Sequence, residues 1–123
     1  MDKPHKKLDV WKLSMELSMT VYRLTAGYPR EERYGLISQM RRAAVSIPSN
    51  IAEGAARSSI NEFRNFLSIA RSSLSELDTQ LDLSQQLDFI TAKSRFEIDT
   101  LLTRVDKMLY ALYQSKKPAV QTR

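Results

Sequence analysis

Apolar side chains recur every three or four residues through four stretches of this chain, and each stretch carries its own start or stop signal. In the first, Leu8, Trp11, Met15, Ser18, Tyr22 and Thr25 form one seam, widened by Val10, Leu17, Val21 and Leu24. That period belongs to an amphipathic α-helix. It predicts a helix over 8–26, stopped by Gly27 and Pro29, with Lys12, Glu16 and Arg23 on the solvated side. A second helix is predicted over 32–56, with Leu36, Met40, Ala43, Ile47 and Ile51 as its buried stripe and acidic residues in its first turn. Pro48 falls inside that stripe, where it removes an amide donor and frees the carbonyl of Ala44. The helix either kinks there or stops and restarts with Ser46 as a cap. The apolar spacing survives the proline, which favours a kinked continuous helix. Gly54 then stands near the helix end as a tolerated or terminating glycine.

The third stretch has the clearest start, because Ser59 and Glu62 fit a capping box. Ile60, Phe63, Leu67, Ala70, Leu74, Leu77, Leu81 and Ser84 keep 3-4 spacing over a helix predicted at 59–87. Phe66, Ile69 and Leu83 add apolar surface beside this seam, and a helix apolar on two sides has two sides to cover. After a short link at 87–90, Thr91 or Ser94 caps a fourth helix over 92–115; Ser94 with Glu97 is a second capping-box match. Its core face is Ile98, Leu101, Leu102, Val105, Met108, Leu109, Leu112 and Tyr113. The basic tail over 116–123 is expected to be disordered. Four helices joined by short links predict an all-α, up-down antiparallel four-helix bundle in a single domain over 1–123, with a Pro-kinked second helix.

Composition narrows the chemistry. The chain has 123 residues, enough for one hydrophobic core, and contains no cysteine, which excludes disulfides and thiolate metal sites. Its one histidine, His5, sits in an N-terminal stretch expected to be flexible, and no Glu-x-x-His pair is present, so no metal, cofactor or Ser-His-Asp set is predicted. No apolar run reaches the roughly 18–20 residues of a membrane span, and the basic N-terminus lacks the apolar segment of a signal peptide. A cytoplasmic protein with no membrane partner is the expectation. The net charge of +5 is unevenly spread: residues 1–75 are basic, 76–106 acidic and 107–123 basic. Such a chain can bind a polyanion or pair with copies of itself.

One block carries a family resemblance. RRAAVSIPSNIAEG (Arg41–Gly54) is the core of it, with Leu8, Trp11, Tyr34-Gly35-Leu36 and Gln39 before it. Arg57, Ser59, Glu62-Phe63, Phe66-Leu67, Ile69-Ala70, Ser73, Glu76-Leu77 and Thr79-Gln80-Leu81 follow. These residues resemble the four-helix-bundle proteins encoded in intervening sequences of bacterial 23S rRNA genes, also labelled the S23 ribosomal protein family. Arg71-Ser72 departs from the pattern, where a small residue often precedes the serine. The resemblance implies an up-down bundle assembled as a ring-like homo-oligomer, a pentamer in particular. A related accessory protein of diversity-generating retroelements suggests RNA or DNA as a partner.

Two constellations remain. Arg57, Arg64 and Arg71 recur every seven residues beside the third helix's seam, a ladder that Arg41 and Arg42 could extend from the second. Two readings are open: a phosphate-contacting strip, since arginine suits bidentate phosphate binding, or pairing with carboxylates such as Glu53, Glu62, Asp78 or Asp82. Ser46, Ser49, Asn50 and Glu53 surround the proline and read as a polar network satisfying the bend. Trp11, Tyr22, Tyr34, Tyr110 and Tyr113 are scattered over helix faces and read as packing residues. The functional expectation is a non-enzymatic homo-oligomer that binds nucleic acid through arginines, with a scaffold that contacts only protein as the alternative.

Overall fold

The computed structural model describes residues 1–117, so most of the expected basic tail over 116–123 lies outside the described residues. Four helices carry the fold: α1 (Asp9–Thr25), α2 (Leu36–Ala55), α3 (Ile60–Gln86) and α4 (Ala92–Ser115). Short 3-10 turns at Pro4–Lys7 and Arg30–Glu32 precede α1 and α2. No strand occurs among the described residues. Each helix packs on the next, and α1 also meets α4, so α1 and α3 stand diagonally across a shared core. Ser18 meets Ala44, Ser46 meets Ser73 and Arg71 meets Asp106 near the helix middles, while Arg64 near the start of α3 reaches Tyr113 at the end of α4.

The core is aliphatic. Leu17, Val21, Met40, Ile47, Ile51, Leu67, Leu77, Leu81, Val105 and Leu109 are fully buried, and each such side chain stabilises the fold by about 1.5–3 kcal/mol. The stripes of α2 and α4 face inward as their spacing predicts. On α1 the seam is rotated. Val10, Ser14, Leu17, Ser18, Val21 and Thr25 are buried, whereas Met15, Met19 and Tyr22 are exposed. Two apolar rows lie side by side on this helix, and only one can point at the bundle axis. His5 is not loose: its ring packs edge-on against Trp11, with centroids 4.9 Å apart.

The helix ends follow local chemistry. Ser59 Oγ accepts the amide of Glu62, as expected, while α4 is capped by Thr91, whose Oγ1 accepts the amide of Ser94; Ser94 is not the cap. Glu31 and Glu32 belong to the 3-10 turn ahead of α2 rather than to its first turn, but Glu32 Oε2 still accepts the Leu36 amide at 3.2 Å. α3 ends with Asp88 at φ 62°, and Phe89 N–H returns to Ser84 O while Asp88 N–H returns to Gln85 O. That is the Schellman pattern with aspartate in the left-handed position that glycine usually takes. Burial raises the pKa of the Tyr28 phenol, which Ser84 and Arg95 oppose. The stability tied to it is therefore intact below the unfolded value and lost as pH rises through the folded one.

α2 runs unbroken through Pro48. The carbonyl that the proline orphans, Ala44 O, is met by Ser18 Oγ from α1 at 2.9 Å, and the same hydroxyl also reaches Ser14 O at 3.0 Å. Asn50 Nδ2 donates to Ser46 O and Oγ, and Ser46 Oγ contacts Ser73 Oγ of α3 at 2.8 Å. Ser49 and Glu53 are exposed and stand apart from these bonds. Ser18→Ala is expected to cost about 1–3 kcal/mol in urea denaturation, because it strands a buried carbonyl. In a Pro48→Ala background, which restores an amide to that carbonyl, the same change should cost clearly less.

Candidate nucleic-acid interface

Two of the ladder arginines, Arg64 and Arg71, lie in the seam between α3 and α4, where the seven-residue step between them is answered by a seven-residue step down α4 from Tyr113 to Asp106. Arg64 lies over the Tyr113 ring at 4.0 Å and donates from Nε to the Tyr113 carbonyl. One step on, Arg71 meets Asp106 at 3.5 Å and lies over Tyr110 at 4.9 Å. A further step brings Asp78, which takes Arg95 of α4 at 2.7 Å. At the other end Arg57 pairs with Glu53 and approaches Glu62 at 3.9 Å, over the Phe66 ring. Such half-exposed pairs contribute at most about 1 kcal/mol each. They nevertheless hold the guanidinium groups against their own neighbours. The pairing alternative describes Arg57 and Arg71, with Asp106 as a partner that the spacing did not single out.

Arg95 is a charged residue that sequence reasoning passed over. Its side chain is 10% exposed and lies among three carboxylates: Asp78 at 2.7 Å, Asp82 at 2.9 Å and Asp99 at 2.8 Å. The contact of Nη1 with Asp82 is within ion-pair distance but off the hydrogen-bonding direction. The signal was present as two i,i+4 pairs, Asp78/Asp82 and Arg95/Asp99, on facing helices.

A different set of cations surrounds the junction of α1 and α2. Between Leu17 and Ala52 the chain holds five arginines and two carboxylates. Arg33, Arg41 and Arg42 line a cleft of about 420 Å³ with Tyr22, Ile37, Ser38 and Val45, and no carboxylate lines it. Arg41 is anchored: Nε donates to Thr25 Oγ1 at 2.9 Å, Nη2 donates to Tyr22 O at 3.2 Å, and the group lies 4.5 Å from the Tyr22 ring centre. It satisfies the Tyr22 carbonyl and the Thr25 hydroxyl at the end of α1 while staying half-buried in the cleft wall. Arg42 is exposed and makes no ion pair among the described residues, and the same holds for Arg33. Arg33 approaches the ring of Tyr34, which is 88% exposed. The cleft also opens near the start of α2, whose dipole favours anions. Arg41 and Arg42 of the expected set are thus together, while Arg64 and Arg71 lie in the α3–α4 seam and Arg57 at the junction of α2 and α3. Arg33 was overlooked because it falls in no heptad.

Beside the cleft, between α1 and α2, runs a larger apolar groove of about 590 Å³. Trp11, Met15, Met19, Val45 and Pro48 line it, with Arg23 as its charged group. Among the described residues no group of three or more His, Cys, Asp or Glu side chains is placed to hold a metal ion. No helix is long and apolar enough to cross a membrane.

A family model described as 23S rRNA-intervening sequence protein matches residues 6–111, and therefore spans all four helices. The chain belongs to that family. Among solved structures it is similar to a protein of unknown function from the S23 ribosomal protein family of Bacteroides thetaiotaomicron. The two share 25% identity and superpose with a TM-score of 0.79, over 85% of this chain and 95% of that one. No curated protein matches. The resemblance carried by Arg41–Gly54 is thereby shown at family level, and the all-α four-helix fold with it. For a 23S rRNA-intervening sequence protein, neither the family description nor that relative assigns an activity.

Proposed function

We propose that this 23S rRNA-intervening sequence protein acts by binding and not by catalysis, taking RNA or DNA on the α1–α2 cleft as a homo-oligomer. The observation that carries this reading is a cleft walled by Arg33, Arg41 and Arg42 with no carboxylate in its lining. Two of these guanidinium groups have no internal acid to satisfy, and phosphate oxygens suit their bidentate geometry. The exposed ring of Tyr34 next to Arg33 offers a face on which an unpaired base can stack, worth about 1–3 kcal/mol. That favours single strands over duplex.

The test is fluorescence anisotropy with labelled single-stranded RNA and DNA, titrated across salt. Arg33→Ala/Arg42→Ala is expected to weaken binding on the order of tenfold at low salt and to flatten the salt slope by about 1.4, from two lost phosphate contacts on a single strand. Arg57→Ala/Arg71→Ala should change both much less. Absence of binding by the unaltered protein at low salt would remove the proposal. The apolar groove favours a second reading, an oligomeric scaffold without nucleic-acid contact, which that negative result would leave standing.

A further inference from the structure

The groove between α1 and α2 is an apolar surface that a lone copy leaves uncovered: Met15, Met19, Tyr22 and Val45 are all exposed along it, Met19 by 50%. Its one charged lining residue is Arg23, and it holds no carboxylate. A surface of the opposite character lies on the outer side of α3. Ile69, Ser72, Glu76, Thr79 and Leu83 follow strict 3-4 spacing two residues out of phase with the core seam, and all five are exposed. Ile69 and Leu83, 40% and 48% exposed, stand seven residues, about two helical turns, either side of Glu76. Among the described residues Glu76 makes no ion pair, and neither does Arg23.

We infer that the groove receives the outer face of α3 from a second copy of this chain, head to tail, with Ile69 and Leu83 seated against Met15, Met19 and Val45 and Glu76 set against Arg23. Three features argue for this occupant. The lengths are comparable: the fourteen steps from Ile69 to Leu83 rise about 21 Å, and the eleven from Trp11 to Tyr22 about 16 Å. The charges are complementary, the lone arginine of the groove against the lone carboxylate of the stripe. The hydroxyls within the stripe cost little to cover, because Ser72 donates to Ser68 O and Thr79 to Ser75 O on their own helix. Groove and stripe lie on different sides of the bundle, so one copy can use both, and successive contacts then build a closed ring or an open chain. The small Ser72 and Thr79 side chains let the partner's helices approach closely.

This inference rests on the proposed self-assembly and not on nucleic-acid binding, which Arg33 and Arg42 test separately. The experiment is light scattering on purified protein with circular dichroism to confirm retained helix. Two variants are made: Met19→Glu, which blocks the groove and spares the stripe, and Ile69→Glu/Leu83→Glu, which does the reverse. The unaltered protein is expected to be larger than one chain, and each variant to fall to single-chain mass with unchanged helicity. Mixed one to one, the two variants should form a species of twice the single-chain mass and no larger, since only one intact groove meets one intact stripe. Arg23→Glu should weaken assembly, and adding Glu76→Arg should restore it. If both blocked variants keep the full assembly mass, the faces are wrong while assembly stands. A mixture that stays at single-chain mass overturns the head-to-tail contact, and an unaltered protein that is monomeric at its highest soluble concentration overturns both contact and assembly.

Discussion

Gly54→Val should destabilise the protein more than any surface substitution in it, and Gly54→Ala should already do so measurably. A β-carbon at Gly54 would stand 2.8 Å from Phe66 Cβ, 2.9 Å from Phe63 Cδ1 and 3.3 Å from the Phe63 carbonyl. A phenylalanine ring can swing, but a Cβ and a carbonyl move only with the backbone, so α2 and α3 must separate. Overpacking of this kind costs about 1–3 kcal/mol, and the branched valine belongs at the upper end or beyond. Alanine recovers up to about 1 kcal/mol of helix propensity over glycine, which offsets part of its own clash. Gly27 is the internal control: a Cβ there would meet only the Leu24 carbonyl at 3.7 Å, so Gly27→Ala should be close to neutral. Urea denaturation of the three variants checks the order. Equal stability for Gly54→Val and Gly27→Ala would show that the two helices are not in close contact at this point.

Arg95→Met should be the costliest single loss of charge. The methionine keeps much of the buried stem volume but leaves Asp78, Asp82 and Asp99 facing one another with no cation among them. Hydrogen bonds to charged groups contribute about 1.5–3 kcal/mol where they are shielded. The three carboxylates are roughly half exposed, so solvent screening trims this, and a loss of about 1–3 kcal/mol is expected. Much of the loss is repulsion between exposed acids, so it should shrink as salt is added. Asp78→Asn/Asp82→Asn in the Arg95→Met background should recover part of it. A loss that is indifferent to both salt and the added neutral substitutions would mean that Arg95 acts through packing alone.

How far these features could be read in advance depends on whether they are local or need a facing helix. Ser59 announces α3 because its partner, the Glu62 amide, is three residues away. The stripe from Leu36 to Ile51 announces the inner face of α2 for the same reason. Met15 and Tyr22 were misplaced because α1 has two adjacent apolar rows, and periodicity alone does not say which one the bundle takes. Ser18 was counted as a polar member of an apolar seam, yet its hydroxyl answers the carbonyl that Pro48 frees, a need visible only when α1 is laid on α2. Gly54 reads as a tolerated or terminating glycine and does stand one residue before the end of α2, but its close approach to Phe63 and Phe66 needs α3 opposite it. The arginines show the limit most plainly. A seven-residue repeat is equally good for phosphates and for an antiparallel partner, and it took the register of α4 to bring Tyr113 and Asp106 to Arg64 and Arg71.

The central claim is that the arginines available to a polyanion are those of the α1–α2 cleft, and that the ladder of α3 is engaged within the chain. Arginine side-chain NMR resonances, recorded as a short single-stranded RNA is added at low salt, test it most directly. The account predicts that the Nε–H signals of Arg33 and Arg42 shift together with the Tyr22, Tyr34 and Ser38 resonances, while those of Arg57, Arg64 and Arg71 stay in place. Shifts confined to Arg57, Arg64 and Arg71, with the cleft silent, would contradict it.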